Sequence, residues 1–264
     1  MNIFLRELRA NRNPLIIWSV SMFILVVSGM AKYTAYSQGG QANAIFMSMP
    51  RSIKALLGFG SFDVTTISGF FAFLFIYIEL AAAIHAALLG ANIISKEERD
   101  KTTEFLMTKP VSRSAIIKSK LMAAILNIIV INIVTLISSI IIVTAYNKGA
   151  DISGKIIMFM VSMFIVQLIF LSSGAALAAC VKNPKSAESY VTGMLLLAFV
   201  ISKITDLTDR LNFLNLASPF KYFDLNCLAK GNGLDFGFVW LALVLTTAFL
   251  AATFHYYQKR DLIV

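Results

Sequence analysis

Three observations predict an all-α polytopic membrane protein. Of the 264 residues, 58% are hydrophobic and only 14% charged, and the mean hydropathy of +0.77 lies far from the balance of a soluble domain. The apolar residues gather into six runs, each near the roughly 20 residues that cross a bilayer. Lys and Arg collect at alternate connections between those runs. The spans fall at about 15–31, 67–94, 121–146, 156–181, 184–204 and 236–257 of a single transmembrane domain covering 1–264. The net charge of +9 is not carried by a basic and aromatic surface module, so no nucleic-acid partner is expected. It suits a chain in contact with lipid and oriented against a negatively charged inner leaflet.

Residues 1–13, MNIFLRELRANRN, are basic with an apolar edge at Phe4, Leu5 and Leu8, which suits a short helix in the inner interface. The run from Leu15 to Ala31 follows. A cleaved signal peptide competes for it, but the run is long for such a segment and five more apolar runs come after. Residues 32–66 are a polar and amphipathic connection broken by Gly39-Gly40, Met49-Pro50 and Phe59-Gly60. GFGSF at 58–62 lacks the third glycine of a nucleotide fingerprint, and no glycine-rich loop ends in Lys-Ser or Lys-Thr, so an ATPase site is not expected in this chain.

The second span carries Ala82, Ala86 and Gly90 at steps of four, a stripe along which another helix can approach closely. Glu79 and His85 lie at membrane depth on the same helix. Six positions at 3.6 residues per turn put them about 120° apart, on different faces. An intramembrane carboxylate is costly, so Glu79 is read either as a structural partner to another helix or as a group on a substrate path.

Residues 95–120, SKEERDKTTEFLMTKPVSRSAIIKSK, are a charged stretch between apolar runs. Ser95 with Glu98 three positions on is a capping-box signature and predicts a helix that starts or restarts there. Thr102, Phe105 and Leu106 make a small apolar stripe on it, and Pro110 ends it. Ser112 is placed to cap the next helix, and Arg113, Lys118 and Lys120 suit the headgroup level.

The third span holds Asn127 and Asn132, and the fourth holds Gln167; amides at that depth are expected to bond across helices. The end of the fourth span, SSGAALAAC, is a second small-residue packing surface. Pro184 is placed to open the fifth helix, with Lys185 snorkelling to the headgroups. Residues 205–235 are too polar to cross and too apolar for a free loop, and read as outer-face or partly re-entrant helices. Cys180 and Cys227 fall at opposite faces, and neither has a Cys or His at metal-ligand spacing, so no metal site is expected.

The pattern KEERDKTTEFLMTKPVSRSAIIKSKL resembles the first cytoplasmic loop of type-2 ABC exporter permeases. There an acidic and basic turn leads into Thr-x-Glu-x-Leu, then Pro-Val-Ser-Arg, then a Lys opening the third span. Thr102, Glu104, Leu106, Pro110, Val111, Ser112, Arg113 and Lys120 match. The family often carries Gly before that Thr, where this chain has Lys101. LASPFKYF and the closing Lys259-Arg260-Asp261 resemble the same family.

The resemblance implies the membrane subunit of an exporter rather than an enzyme, with no catalytic residue in this chain. It implies a dimer with a second permease copy or paralogue, and two copies of a separate cytoplasmic ATPase that bind the ATP and Mg; this chain would bind no cofactor. Residues 95–109 would be a coupling helix docking in an ATPase groove, with Glu98, Arg99, Thr102, Glu104, Phe105, Leu106, Pro110 and Arg113 as coupling residues. Glu79, His85, Asn127, Asn132 and Gln167 are the intramembrane polar candidates. With the N-terminus inside, the inner segments hold 14 of the 23 Lys and Arg. Charge density thus puts both termini and the coupling helix in the cytoplasm, and the resemblance implies a plasma membrane of bacterial type. Two other classes compete: an ion-coupled secondary carrier gated by Glu79, and a membrane sensor or assembly factor that transports nothing.

Overall fold

The computed structural model describes residues 3–37, 48–50, 53, 63–102, 111–147, 149, 151–181, 183–207 and 209–259. Among them every regular element is helical. A short helix α1 (Ile3–Ala10) bends at Asn11 into α2 (Arg12–Met30), with α3 (Tyr33–Ser37) after it. The long helices α4 (Ile67–Arg99), α5 (Arg113–Tyr146), α6 (Ser153–Cys180) and α7 (Ala187–Leu207) follow, then the short α8 (Leu225–Lys230) and finally α9 (Phe236–Lys259). Six stretches are long and apolar enough to cross a membrane: Arg12–Ser37, Ile67–Arg99, Arg113–Tyr146, Ser153–Cys180, Pro184–Leu207 and Phe236–Lys259.

The helix starts have local causes. Thr66 accepts the Gly69 amide at 3.2 Å to open α4, and Ser112 accepts that of Ala115 at 3.3 Å to open α5, as its position predicts. Asn183 accepts the Lys185 amide at 3.1 Å, and Pro184 begins a 3₁₀ turn (Pro184–Ser186) that leads into α7.

Helices α4 and α6 are the most buried and form the centre of the bundle. They run parallel, and the small residues foreseen on both allow their backbones to touch. A methyl group added at Gly90 would lie 2.1 Å from the Leu171 carbonyl oxygen, and one at Gly174 would lie 2.4 Å from that of Ala87. With no hydrophobic drive between helices in lipid, such close packing is what holds spans together. Phe71 and Phe75 clasp Phe159 on α6 at ring distances of 5.6 and 4.8 Å. Around this pair α2 and α9 are the most exposed, with Ile17, Phe23, Trp240 and Val244 pointing away from the protein.

One end of the bundle gathers α1, the end of α4, the start of α5, the start of α7 and the end of α9. Arg113 donates to the Gln258 carbonyl at 3.0 Å, Gln258 Nε2 donates to Ser114 Oγ at 2.8 Å, and Arg99 pairs with Glu188 at 2.6 Å. Both described ends of the chain therefore lie on one side.

At the far end the segment after α7 turns back into the bundle through 3₁₀ turns over Asp209–Ala217 and Pro219–Lys221. Ser218 Oγ donates to the Ala198 carbonyl at 2.8 Å, nine residues before α7 ends, about 13 Å down that helix. Phe220 lies between Phe170 at 5.1 Å and Phe199 at 5.5 Å, and Tyr222 stacks on Phe238. Irregular backbone at that depth survives because it is enclosed by protein. Cys180 and Cys227 sit at opposite ends of the bundle, and no disulfide joins them.

The expected helix start at Ser95 is not found. Helix α4 passes through it without a break, and Ser95 Oγ donates to the Ala91 carbonyl one turn back at 2.9 Å. A capping box needs an end of a helix to cap. Here the buried run up to Glu98 keeps the helix going, and the hydroxyl returns to its own turn instead.

Candidate functional site

At 33 and 34 residues, α4 and α5 are each about 50 Å long, against a hydrocarbon layer of about 30 Å. Each therefore exceeds that thickness by about 20 Å, and the chain from Asp100 to Ser112 joins their termini-side ends. Helix α4 stops by a Schellman arrangement. The Thr102 amide donates to the Glu97 carbonyl at 2.8 Å and that of Lys101 to Glu98 at 3.3 Å. Lys101 sits at φ 55°, the left-handed position that favours glycine. The departure from the family pattern noted in the sequence thus falls where a glycine has a physical reason.

Of the expected coupling residues, Glu98 is buried on the last turn of α4. Arg99 pairs with Glu188 on α7 and donates to Asn92 at 3.0 Å and Asp100 at 3.3 Å. Thr102 follows the cap, and Arg113 is the first residue of α5. Glu104, Phe105, Leu106 and Pro110 lie outside the described residues, and with them most of the expected coupling helix.

Beside the end of α4 lies a charged cluster that reading along the chain does not reveal. Lys120 is buried within the start of α5, where it donates to the Ile93 carbonyl at 2.7 Å and pairs with Glu97. The headgroup position expected for Lys120 is therefore corrected: its charge is satisfied by α4 rather than by lipid. Glu7 of α1, fully buried, pairs with Lys96, and Arg6 Nη2 stands 4.0 Å from Glu97. Of the apolar edge read for α1, Phe4 and Leu8 pack against the core while Leu5 is 59% exposed. Ile3 and Glu7 are buried as well, with Ile3 against Ile116 of α5. Only the spacing of Ile3, Glu7 and Asn11 at steps of four hints that the carboxylate lies on the buried face.

The intramembrane candidates separate into three places. Asn132 Nδ2 donates to Gln167 Oε1 and Gln167 Nε2 to the Ala82 carbonyl at 3.3 Å, which ties α5, α6 and α4 together at mid-depth. Asn127 instead turns to its own helix, donating to Ala123 at 2.7 Å. His85 packs edge-on against Trp18 of α2 at 5.2 Å. Glu79 is buried on the α7 side, where Lys203 is the charge that acts on it, and it makes no hydrogen bond among the described residues. Lys203 itself bonds Asp206 at 3.2 Å, and Asp206 also pairs with Lys221 of the re-entrant turn. Glu79 and His85 thus face different neighbours, as their helical spacing predicts.

Among the described residues the chain is a helical bundle with six stretches long and apolar enough to cross a membrane and a polar seam through its middle, the class of a multi-pass membrane protein. A family model described as ABC-2 family transporter protein matches residues 1–262, and the chain belongs to that family. Permeases of this kind generally work with a cytoplasmic ATPase subunit. No curated protein matches the chain.

Proposed function

We propose that this chain is the membrane subunit of an ATP-driven exporter in the plasma membrane of a bacterial cell. It acts as a dimer with a second permease copy or paralogue, and two copies of a separate ATPase bind the ATP and Mg. Both termini and the stretch from 95 to 113 face the cytoplasm, where the positive charges are densest.

The observation that carries this reading is the length of α4 and α5. Two helices each about 20 Å longer than the hydrocarbon layer, the first closed by a cap at Asp100–Thr102, would form a lever that an external machine can push. A push on that lever reaches α6 directly, because α4 and α6 touch backbone to backbone at Gly90 and Gly174. Closure of the nucleotide sites would then bias the bundle between inward and outward states, a coupling between two distinct sites. The residues assigned to docking are Glu98, Arg99, Thr102, Glu104, Phe105, Leu106, Pro110 and Arg113.

Purification from mild detergent after expression with its ATPase tests the reading. A stoichiometric P-loop ATPase should be retained, and its ATP hydrolysis should rise when the permease is present. A permease that retains no ATPase, or one that leaves hydrolysis unchanged, overturns the proposal in favour of a carrier or a non-transporting membrane factor.

A further inference from the structure

Lys203 of α7 donates to Asp206 at 3.2 Å, one turn on in the same helix, and Asp206 also pairs with Lys221 of the re-entrant turn. A fourth charge belongs to this set. Glu79 of α4, only 4% exposed, feels the charge of Lys203 and makes no hydrogen bond among the described residues. Two carboxylates and two ammonium groups balance, yet among the described residues one carboxylate holds both cations and the other holds none. A buried carboxylate left in this state is costly, whereas a partly exposed pair within one helix, such as Lys203 with Asp206, contributes little. Asp206 keeps Lys221 whether or not Lys203 stays.

The position of Lys203 suits a change of partner. Its ammonium lies 5.5 Å from the centre of the Phe199 ring, one turn back along α7, so the stem folds toward the bundle and not straight out to water. The helices on either side are held to different degrees. Helix α4 is seated on α6 backbone to backbone at Gly90 and Gly174, while Gly193 of α7 meets nothing within 4 Å, and α7 is far less buried than α4. Relative movement of α4 and α7 therefore falls to α7, and the flexible four-carbon stem of a lysine can follow it from one carboxylate to another.

We propose that Lys203 is a two-position switch between α7 and α4: in the present arrangement it shares Asp206 with Lys221, and in a second one α7 shifts against α4, Lys203 pairs with Glu79, and each carboxylate holds one ammonium. Glu79 is then kept for the state in which it is paired. Such a pair, made in one arrangement and absent from the other, gives the bundle two discrete packings in place of a continuous range. The switch needs no ATPase, so it stands apart from the exporter reading and is measured in this chain alone.

Spin labels at exposed Ile157 of α6 and Ile204 of α7, in a background with Cys180→Ser and Cys227→Ser and diluted with unlabelled chain, report how α7 sits against the α4–α6 pair. The detergent-solubilised parent should give a main distance with a second one in the minority. Asp206→Asn releases Lys203 and should raise the second population about threefold or more; Asp206 lies outside the core, so the variant folds. Glu79→Gln, Lys203→Met and Asp206→Asn/Glu79→Gln should each lack the second distance. Lys221→Met loosens the re-entrant turn but leaves Lys203 on Asp206, and should not raise it. Opposite responses to the loss of the two carboxylates are what competition for one ammonium produces, and a purely structural Glu79 does not give them. Distances in Asp206→Asn equal to those of the parent overturn the proposal. So does a second population that is as large in Asp206→Asn/Glu79→Gln as in Asp206→Asn.

Discussion

Lys101 holds the left-handed position after α4 at φ 55°, where a side chain costs about 1 kcal/mol relative to glycine. Lys101→Gly should therefore tighten the cap and slow exchange of the Lys101 and Thr102 amides about fivefold, read by hydrogen–deuterium exchange of the detergent-solubilised protein. Unchanged or faster exchange would show that the turn is held by its surroundings and not by its own backbone. Glu79 poses a different question at the same scale. A buried carboxylate with no hydrogen-bond donor among the described residues is costly to keep charged, and an amide of the same shape sheds that cost. If Glu79 is structural, Glu79→Gln should melt no lower than the parent and should leave stimulated ATP hydrolysis largely intact. A folded variant that binds its ATPase but fails to stimulate it would place Glu79 on the transport path.

Between elements, the seam of α4 and α6 and the Lys120 pair set what the bundle tolerates. Gly90→Ala puts a methyl group 2.1 Å from the Leu171 carbonyl, so the two backbones must part, at a cost of about 3 kcal/mol or more. Gly193→Ala is the matched control: that glycine lies inside α7 with open space around its Cα, so it should gain up to about 1 kcal/mol of helix propensity. Unfolding in mixed micelles should order the variants Gly193→Ala, parent, Gly90→Ala, and equal stability of the two variants would dismiss the close seam. Lys120→Met leaves Glu97 buried without its ammonium, a loss of about 3–5 kcal/mol. Adding Glu97→Gln should restore most of it, since the pair and not either residue sets the balance; no recovery would mean that Lys120 acts through the Ile93 carbonyl alone.

Over the whole molecule, orientation and docking are the properties to measure. Lys185, exposed at the termini-side end, and Asn232, exposed at the far end, give opposite readings. Single cysteines at those positions, in a background lacking Cys180 and Cys227, should label from the inside and the outside respectively. Labelling of both from outside would remove the proposed topology. For docking, binding energy concentrates in a few desolvated side chains. Phe105→Ala and Leu106→Ala should each weaken ATPase retention by about 1–2 kcal/mol, against a few tenths for Asp100→Ala. If both variants hold the ATPase as the parent does, that stripe is a membrane-surface contact and the lever is pushed elsewhere.

The sequence by itself determined the six spans, the small-residue faces of α4 and α6, the cap at Ser112 and the divergence of Glu79 from His85. Each of these depends on hydropathy over one bilayer thickness or on the helical period, both written in neighbouring residues. The tertiary structure alone decided that Ser95 lies inside a helix, that Lys120 is buried, and that Glu7 faces inward. A Lys or Glu near a span end has the same local pattern whether it meets lipid headgroups or a counter-charge. Which one it meets depends on an approach between segments as distant as Glu7 and Lys96, and that approach follows from how α4, α5 and α6 pack.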